Sequence, residues 1–213
     1  LTGLMRGRLI TLEGPDGSGK TTQLLQLVSW LTAQDYTVLK TREPGGTRIG
    51  ECVREVLHNP THTEMAAHTE ILLYSASRAQ LVAELIRPAL EEGTIVLCDR
   101  YFDSTYAYQG YGRGLPLADL RRITEFAVQG LVPDLTLYLD VPPEVGLRRR
   151  AESGEALNRL DRETLAFHTR VRQGYLALAD AEPARWCVID ATRSIEAVQH
   201  DLQAVVRQHL PPI

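Results

Sequence analysis

A glycine-rich loop between a short apolar strand and an amphipathic helix constrains this chain more than any other feature. Residues 14–22 read GPDGSGKTT, which has the form G-x-x-x-x-G-K-[ST] of the phosphate-binding loop. Leu9, Ile10 and Leu12 precede the loop, and leucines at helical spacing follow it from Leu24 onward. Glycines allow backbone N–H groups and the helix N-terminus to face a polyphosphate. The loop therefore predicts a nucleoside triphosphate site in a strand–loop–helix unit.

Two side chains of the loop have defined chemistry in such a site. Lys20 is expected to reach the β- and γ-phosphates, and the hydroxyl of Thr21 is expected to be a ligand of Mg²⁺. The residues expected to contact ATP are Gly14, Pro15, Asp16, Gly17, Ser18, Gly19, Lys20, Thr21 and Thr22.

Composition and charge are those of an ordinary globular protein. Hydrophobic residues make up 44% and charged residues 23% of the 213 residues. A formal net charge of −4 gives no reason to expect nucleic acid or an anionic membrane as a partner. Cys52, Cys98 and Cys187 lack metal-ligand spacing and are expected to be reduced core thiols. No apolar run has the length of a membrane span and no signal peptide is visible, so we expect a cytoplasmic protein.

Apolar strand segments alternate with helical segments along the chain. This alternation predicts one α/β domain over 1–213, with a parallel sheet that is covered on both faces. The strands are predicted at 9–12, 36–39, 94–98, 135–139 and 186–189. The helices are predicted at 21–33, 48–57, 64–91, 116–129, 143–151, 162–180 and 194–209. Polar residues follow each strand, where ligands of such sheets bind. The six histidines show no ligand spacing and are expected at the surface or at edges.

Charged residues directly after two strands are candidates for metal and phosphate contacts. Asp99 follows the third strand, where a carboxylate of a P-loop fold typically holds Mg²⁺, and Arg100 beside it suits a second phosphate. The alternative is an Asp–Arg surface pair that closes a turn. In the turn TREPGG at 41–46, Arg42 and Glu43 either contact phosphate and metal-bound water or belong to a simple strand-to-helix turn.

Two further segments carry groups suited to a planar base and to phosphates. Tyr74 and Arg78 lie one helical turn apart and can stack on a base and donate to its edge, although tyrosine on a helix is usually core or rim. Hydroxyls and an amide at 103–110 can bind base and sugar. The arginine-rich segment at 146–161, with a break at Gly154, is either a lid that closes on phosphates or a solvated helix face.

Taken together, these residues resemble the bacterial thymidylate kinase family of P-loop kinases. The resemblance covers nearly the whole chain and depends on motifs at 13–22, 41–47, 72–79, 99–101, 104–110 and 189–192. It implies the nucleoside-monophosphate-kinase fold, with a five-stranded parallel sheet and a small lid at about 146–161. It also implies Mg²⁺- and ATP-dependent phosphorylation of dTMP to dTDP by a homodimer.

The resemblance implies roles for individual residues. Asp16 would contact the deoxyribose 3′-hydroxyl and the metal-water network, and Tyr74 would stack on thymine where many relatives have Phe. Arg78 would donate to a thymine carbonyl oxygen, and Arg100 would bind the dTMP phosphate. Tyr108 would disfavour a ribose 2′-hydroxyl by its bulk. The residues that would line the dTMP site are Asp16, Pro44, Tyr74, Arg78, Arg100, Ser104, Thr105, Tyr108 and Gln109.

The phosphate-binding loop contains no arginine, so the chain resembles the relatives whose catalytic arginine lies in the lid. Lid-type relatives often read D-R-x-E where this chain has NRLD at 158–161. Arg149 fits the position that lies against adenine in relatives. Arg150 and Arg159 both stay candidates for the γ-phosphate, with a preference for Arg150. The catalytic residues implied are Lys20, Asp99, Arg100, Arg150 and Arg159, and the metal ligands are Thr21 and Asp99.

Three other functions were weighed against this one. Another nucleoside-monophosphate or deoxynucleoside kinase on the same scaffold is opposed by Arg78 and Tyr108. A GTPase would need an N-K-x-D motif, which the sequence lacks. A non-catalytic nucleotide-binding protein would not need Lys20, Thr21, Asp99 and a lid together.

Overall fold

The computed structural model describes residues 6–154 and 158–210 of the chain. Five parallel strands form one sheet in the order β2-β3-β1-β4-β5. The strands are β1 Leu9–Glu13, β2 Val38–Arg42, β3 Ile95–Asp99, β4 Leu135–Asp140 and β5 Trp186–Asp190. The predicted α/β fold with a five-stranded parallel sheet is confirmed.

The helices are α1 Lys20–Thr32, α2 Arg48–His58, α3 Ala67–Leu81, α4 Arg87–Glu91, α5 Phe102–Thr105, α6 Leu117–Val128, α7 Pro143–Glu152, α8 Leu165–Ala181 and α9 Ile195–Arg207. Helices α1 to α8 lie between successive strands, and α9 follows β5. Two π-helical stretches, Val82–Ile86 and Tyr106–Gly112, continue α3 and α5. No helix among the described residues is apolar over the length that a membrane crossing requires.

The inner strands β1, β3 and β4 are buried on both faces, which explains their largely apolar sequences. Ile10 and Leu12 of β1 belong to a cluster with the leucines and valines of α1 and α9. Leu9 points to the other face and belongs to a cluster with Leu81 of α3 and Ile86. Each fully buried aliphatic side chain contributes about 1.5–3 kcal/mol relative to exposure. The central strand and the loop that follows it are therefore held from both sides.

Two helical regions differ from the prediction made from the sequence. A single helix at 64–91 was expected, but it includes the π-helical stretch Val82–Ile86 before α4. Pro88 in the first turn of α4 has no N–H to donate to the helical hydrogen bonds, and the π-helical stretch ends just before α4. The helical segment α5 with its π-helical continuation was not predicted at all, because its polar and aromatic residues show no simple periodicity.

Two expectations about cysteine and histidine need correction. Cys98 is buried, whereas Cys52 is exposed on α2 and is not a core thiol. His168 is buried against Phe167 on α8, with an edge-to-face ring contact. His58 lines the main cavity at the end of α2. These two histidines are therefore not ordinary surface residues.

Candidate active site

A cavity of about 310 Å³ lies where the loops after β1, β2, β3 and β4 meet. This location is the carboxyl end of the sheet, where ligands of parallel α/β sheets bind. The predicted site residues that line it are Asp16, Gly17, Gly19, Lys20, Thr21, Thr22, Pro44, Tyr74, Arg78, Asp99, Arg100, Ser104, Thr105, Tyr108, Gln109, Arg149 and Arg150. Gly14, Pro15, Ser18 and Arg159 do not line it.

The phosphate-binding loop requires glycine at its centre. Gly17 has φ of 78°, and a Cβ added there would lie 2.1 Å from the carbonyl oxygen of Gly146 at the start of the predicted lid. A side chain at Gly17 is therefore excluded both by backbone conformation and by the close approach of α7. The side chain of Ser18 is buried, and no described residue forms a hydrogen bond with its hydroxyl oxygen.

The ammonium group of Lys20 is held by the loop itself. Its Nζ donates to the carbonyl oxygens of Gly14 at 3.0 Å and Pro15 at 2.9 Å. It also lies 3.9 Å from Oδ1 of Asp16. Burial, together with the nearby Arg100 guanidinium, lowers the pKa of Lys20, while the surrounding carboxylates oppose this shift. The loop thus fixes a cation beside its backbone N–H groups, as polyphosphate binding requires.

Thr21 and Asp99 lie together at the rim of the loop. The Oγ1 of Thr21 donates to Oδ2 of Asp99 over 3.4 Å. A hydroxyl and a carboxylate are ligands that Mg²⁺ accepts, and this ion usually retains waters and substrate phosphate oxygens as its other ligands. Among residues 6–154 and 158–210 no cluster of three acidic, histidine or cysteine side chains could hold a metal alone. The pair therefore fits an ion that arrives with a nucleotide.

Arg100 is the most constrained cation of the site. Its φ of 67° lies in the left-handed region, a conformation that costs about 1–3 kcal/mol for a residue with a side chain. The guanidinium donates to Asp16 at 2.8 Å and to Ser104, Tyr108 and Tyr175 at 3.2 Å each. These contacts fix the orientation of the guanidinium group at the wall of the cavity.

Asp16 connects the two cations of the phosphate end. Its Oδ1 accepts from Arg100 at 2.8 Å and lies 3.9 Å from Nζ of Lys20. Burial opposes ionisation of Asp16, but Arg100 and Lys20 hold the pKa of the carboxyl well below its usual range. One carboxylate is therefore shared between the cation of the loop and the cation after β3.

Glu13, at the end of β1, is the buried support for Arg100. It accepts from the Tyr101 N–H at 2.7 Å, from the Ser104 hydroxyl at 2.6 Å and from the Tyr175 hydroxyl at 2.8 Å. Burial raises the pKa of Glu13 to about 7, Asp103 adds to this shift, and Arg100 opposes it. Sequence reasoning assigned no function to Glu13 or Tyr175. The position of Glu13 directly before the loop was a signal, whereas Tyr175 on α8 had none.

A buried ion pair defines the opposite end of the cavity. Nε of Arg78 donates to Oε2 of Glu43 at 2.8 Å, and Nη2 donates to the Thr105 hydroxyl at 3.0 Å. Arg78 is 1% exposed, and its Nη1 has no hydrogen-bond partner among the described residues. Burial raises the pKa of Glu43 to about 7 although Arg78 opposes the shift. Glu43 thus binds Arg78, while Arg42 forms an exposed ion pair with Glu51.

Other base-site candidates lie around Arg78. Tyr74 lines the cavity one helical turn before it. The amide of Gln109 donates from Nε2 to Glu70 at 2.7 Å, and both side chains are buried. Arg54 and His58 also line the cavity, and the sequence singled out neither. Burial and the neighbouring Arg54 charge lower the pKa of His58 to about 4, so this imidazole is neutral at pH 7.

Three of the four arginines of the predicted lid lie in three different places. Arg149 donates to the carbonyl oxygen of Ala191 at 2.9 Å, and Arg150 donates from Nε to Asp161 at 3.1 Å. Arg159 forms an ion pair with Glu70, outside the lining of the cavity. Residues 155–157 of the predicted lid lie outside the described residues. The structure therefore brings Arg149 and Arg150, but not Arg159, to the cavity.

The cavity combines a phosphate-binding loop, two oxygen ligands for a divalent ion and a fixed arginine, Arg100, outside the loop. These features define the class of P-loop phosphotransferases that act between two phosphorylated substrates. A sequence model of the family described as thymidylate kinase matches residues 12–202. The chain belongs to the thymidylate kinase family and is a kinase.

Three curated relatives illustrate the similarity. The chain is 53% identical over 216 residues to the thymidylate kinase of Roseiflexus castenholzii, covering 96% of this chain and 94% of the relative. It is 53% identical over 205 residues to that of Deinococcus radiodurans, covering 96% and 98%. It is 48% identical over 195 residues to that of a Geobacillus species, covering 91% and 93%.

Proposed function

We propose that this chain transfers the γ-phosphoryl group of ATP to dTMP, giving ADP and dTDP. An oxygen of the dTMP phosphate attacks the γ-phosphorus, and the bond from that phosphorus to the bridging oxygen of ADP breaks. The observation that carries the proposal is the position of Asp16, because its Oδ1 contacts Arg100 at 2.8 Å and lies 3.9 Å from Lys20. Two fixed cations around one carboxylate can hold donor and acceptor phosphates close together.

The donor side would be the phosphate-binding loop. Lys20 would exchange its contacts with Gly14 and Pro15 for the β- and γ-phosphates of ATP. Thr21 and Asp99 would hold Mg²⁺, which neutralises charge on the bridging phosphate oxygens when it is bound. Arg149 would lie against adenine, a role that fits its attachment to the loop after β5.

The acceptor side would be Arg100 and the buried pair at the far end. Arg100 would bind the dTMP phosphate while Asp16 contacts the sugar hydroxyl. Nη1 of Arg78, which has no partner within the part of the chain that the structure describes, would donate to a thymine carbonyl oxygen, and Tyr74 would stack on the ring. Pro44, Ser104, Thr105, Tyr108 and Gln109 would complete the pocket.

The lid would supply the last cation. Arg150 lines the cavity, and we propose that it stabilises the charge that develops on the γ-phosphoryl group. Arg159, the other candidate, is held by Glu70. The segment 146–161 would act as the lid within one domain, closing when ATP is bound.

A substrate panel tests the proposal. ADP release with ATP and Mg²⁺ would be measured for dTMP, dUMP, dCMP, dAMP and dGMP at equal concentrations. We expect dTMP to give the highest kcat/KM and omission of Mg²⁺ to abolish turnover. Equal rates for purine and pyrimidine monophosphates would support the alternative of a broad nucleoside-monophosphate kinase and refute this one.

We also propose that the chain acts as a homodimer in the cytoplasm. Phe126 of α6 is 86% exposed and Leu72 of α3 is 57% exposed, and α3 and α6 pack side by side. Such side chains favour a covered surface. The three unpaired thiols fit a reducing compartment. Sedimentation of the wild type and of Phe126→Ser would check the dimer. The variant should dissociate into monomers at a higher protein concentration than the wild type, and equal dissociation of the two would mean that this face is not the interface.

A further inference from the structure

Glu70 lies in the first turn of α3 and is the acceptor for three side chains from two other segments. It is 1% exposed. Its Oε1 accepts from Nε2 of Gln109 at 2.7 Å and from Nε of Arg113 at 3.2 Å. Its Oε2 accepts from Nη2 of Arg113 at 3.2 Å and from Nη2 of Arg159. Burial alone would raise the pKa of Glu70, but Arg113, Gln109 and Arg159 lower it, so the carboxylate is ionised at pH 7.

The contact with Gln109 orients one wall of the base pocket. A carboxylate can only accept, so it selects the amide nitrogen of Gln109 and leaves the amide oxygen facing elsewhere. Glu70, Tyr74 and Arg78 follow one another at four-residue spacing on α3, which places them along one face of the helix. The carboxylate thus belongs to the same helix face as the two residues assigned to base recognition.

The contact with Arg159 fixes the far end of the lid. Arg159 also donates to the carbonyl oxygen of Leu57 at 3.3 Å. Its neighbours form a tight turn, in which Oδ1 of Asn158 accepts from the N–H groups of Leu160 at 2.7 Å and Asp161 at 3.0 Å. A displacement of Arg159 therefore moves the whole turn 158–161.

The same turn holds the arginine that lines the cavity. Oδ2 of Asp161 accepts from Nε of Arg150 at 3.1 Å and from the Asn158 N–H at 2.9 Å. Asp161 is buried, so its contact with Arg150 is shielded from water. Side-chain contacts run from Gln109 through Glu70 to Arg159, and from Asp161 to Arg150. The turn held by Asn158 joins Arg159 to Asp161 along the chain.

We propose that Glu70 is a positioning residue that couples occupation of the base pocket at Gln109 to the placement of Arg150 over the phosphates. This inference rests on the proposed function of the cavity. A base that binds Gln109 steadies the Glu70 carboxylate, which steadies Arg159 and with it the turn that holds Arg150. The acceptor nucleotide would then tighten binding of the donor nucleotide, and the reverse would hold to the same degree.

The matched test compares two arginines that share this carboxylate. Arg159→Gln removes the contact to the lid, whereas Arg113→Gln removes a contact that leads to Glu163 on the other side. Each variant leaves Glu70 with one arginine and Gln109, so both are expected to fold. Calorimetry would give the Kd of a non-hydrolysable ATP analogue with Mg²⁺, with and without saturating dTMP.

We expect dTMP to tighten analogue binding by about fivefold or more in the wild type, the lower end of ordinary coupling between sites. Arg159→Gln should reduce this factor to within twofold of unity, and Arg159→Lys should restore part of it. Arg113→Gln should keep the wild-type factor. Adding Arg159→Gln to Arg150→Ala should lower kcat no further than Arg150→Ala alone, because both act through one group.

Several outcomes would overturn the inference. The first is a wild type in which dTMP does not tighten analogue binding, and the second is an Arg159→Gln variant that keeps the wild-type factor. The third is an equal loss of this factor in Arg159→Gln and Arg113→Gln, which would indicate a structural role only. Failure of the proposed function looks different, because then dTMP would neither bind nor be phosphorylated by the wild type. If Arg159→Gln does not fold, Asp161→Asn interrupts the same connection and is judged by the same criterion.

Discussion

The phosphate end and the base end of the cavity are built in different ways. At the phosphate end, Lys20 is held by carbonyl oxygens five and six residues before it in the same loop. At the base end, Arg78 is paired with Glu43 across 35 residues, and Gln109 with Glu70 across 39. Local backbone therefore holds Lys20, the cation of the phosphate-binding loop, whereas pairs of buried side chains from distant segments shape base recognition.

The difference determines what a substitution does. Removal of Lys20 leaves Asp16 with Arg100 as a partner, so no buried charge loses its last counter-ion. Removal of Arg78 leaves the buried Glu43 without the only ion pair described for it. Breaking a buried pair in this way costs up to about 3–5 kcal/mol. The phosphate end should therefore lose activity without stability, and the base end should lose both.

The largest effect is expected at Lys20. Lys20→Ala should lower kcat by more than ~10³, since it removes a fixed cation that stabilises charge on the transferring phosphoryl group. The free energy of unfolding, measured by urea denaturation, should stay within about 1 kcal/mol of the wild type. Near-normal turnover, or a variant that does not fold, would remove the contrast between the two ends.

The next effect concerns the lid arginines. Arg150→Ala should lower kcat by ~10³ with little change in KM, because an arginine that acts on the transferring phosphoryl group acts in the transition state. Arg149→Ala should mainly raise the KM for ATP. Single-turnover rates at saturating ATP would separate the two, with the exposed Arg148→Ala as control.

An arginine moved into the phosphate-binding loop should not rescue Arg150→Ala when it is placed at Gly17. The φ of 78° and the 2.1 Å approach of Gly146 exclude a side chain there. Wild-type turnover by all the lid variants would show that the lid only covers the site and that the catalytic arginine lies elsewhere.

The third effect tests the base end. Arg78→Gln should lose about 1–3 kcal/mol of dTMP recognition, or roughly 5–150-fold in kcat/KM, while the Kd for ATP stays within threefold. It should also lower the unfolding free energy. Adding Glu43→Gln should recover stability but not dTMP efficiency, because the second substitution removes the stranded carboxylate and supplies no base donor. Equal weakening of ATP and dTMP by Arg78→Gln would contradict the assignment.

The same contrast explains what the sequence could predict. The phosphate-binding loop, the strands and the residues after them were predictable because each is encoded within about ten consecutive residues. The partners of Arg78 and Arg100 were not, since Glu43 and Tyr175 reach them only after the sheet and α8 have packed. The resemblance left Arg159 as one of two candidates for the γ-phosphate, and only the fold places it on Glu70.

The smallest effect on turnover is expected at Glu13. Its role is tested by the pH dependence of the unfolding free energy. Burial raises the pKa of this carboxyl from 4.5 to about 7. Between those values the folded chain holds a proton that the unfolded chain has released, so this group lowers the unfolding free energy as pH rises through the window.

Glu13→Gln removes that dependence and keeps the shape of the side chain. The unfolding free energy of Glu13→Gln minus that of the wild type should therefore increase from pH 5 to pH 7 and then level off. Urea denaturation at four pH values would measure it, with the exposed Glu91→Gln as the control for charge loss. A constant difference across the range would mean that Glu13 titrates as in the unfolded chain, and that the phosphate end has no buried support of this kind.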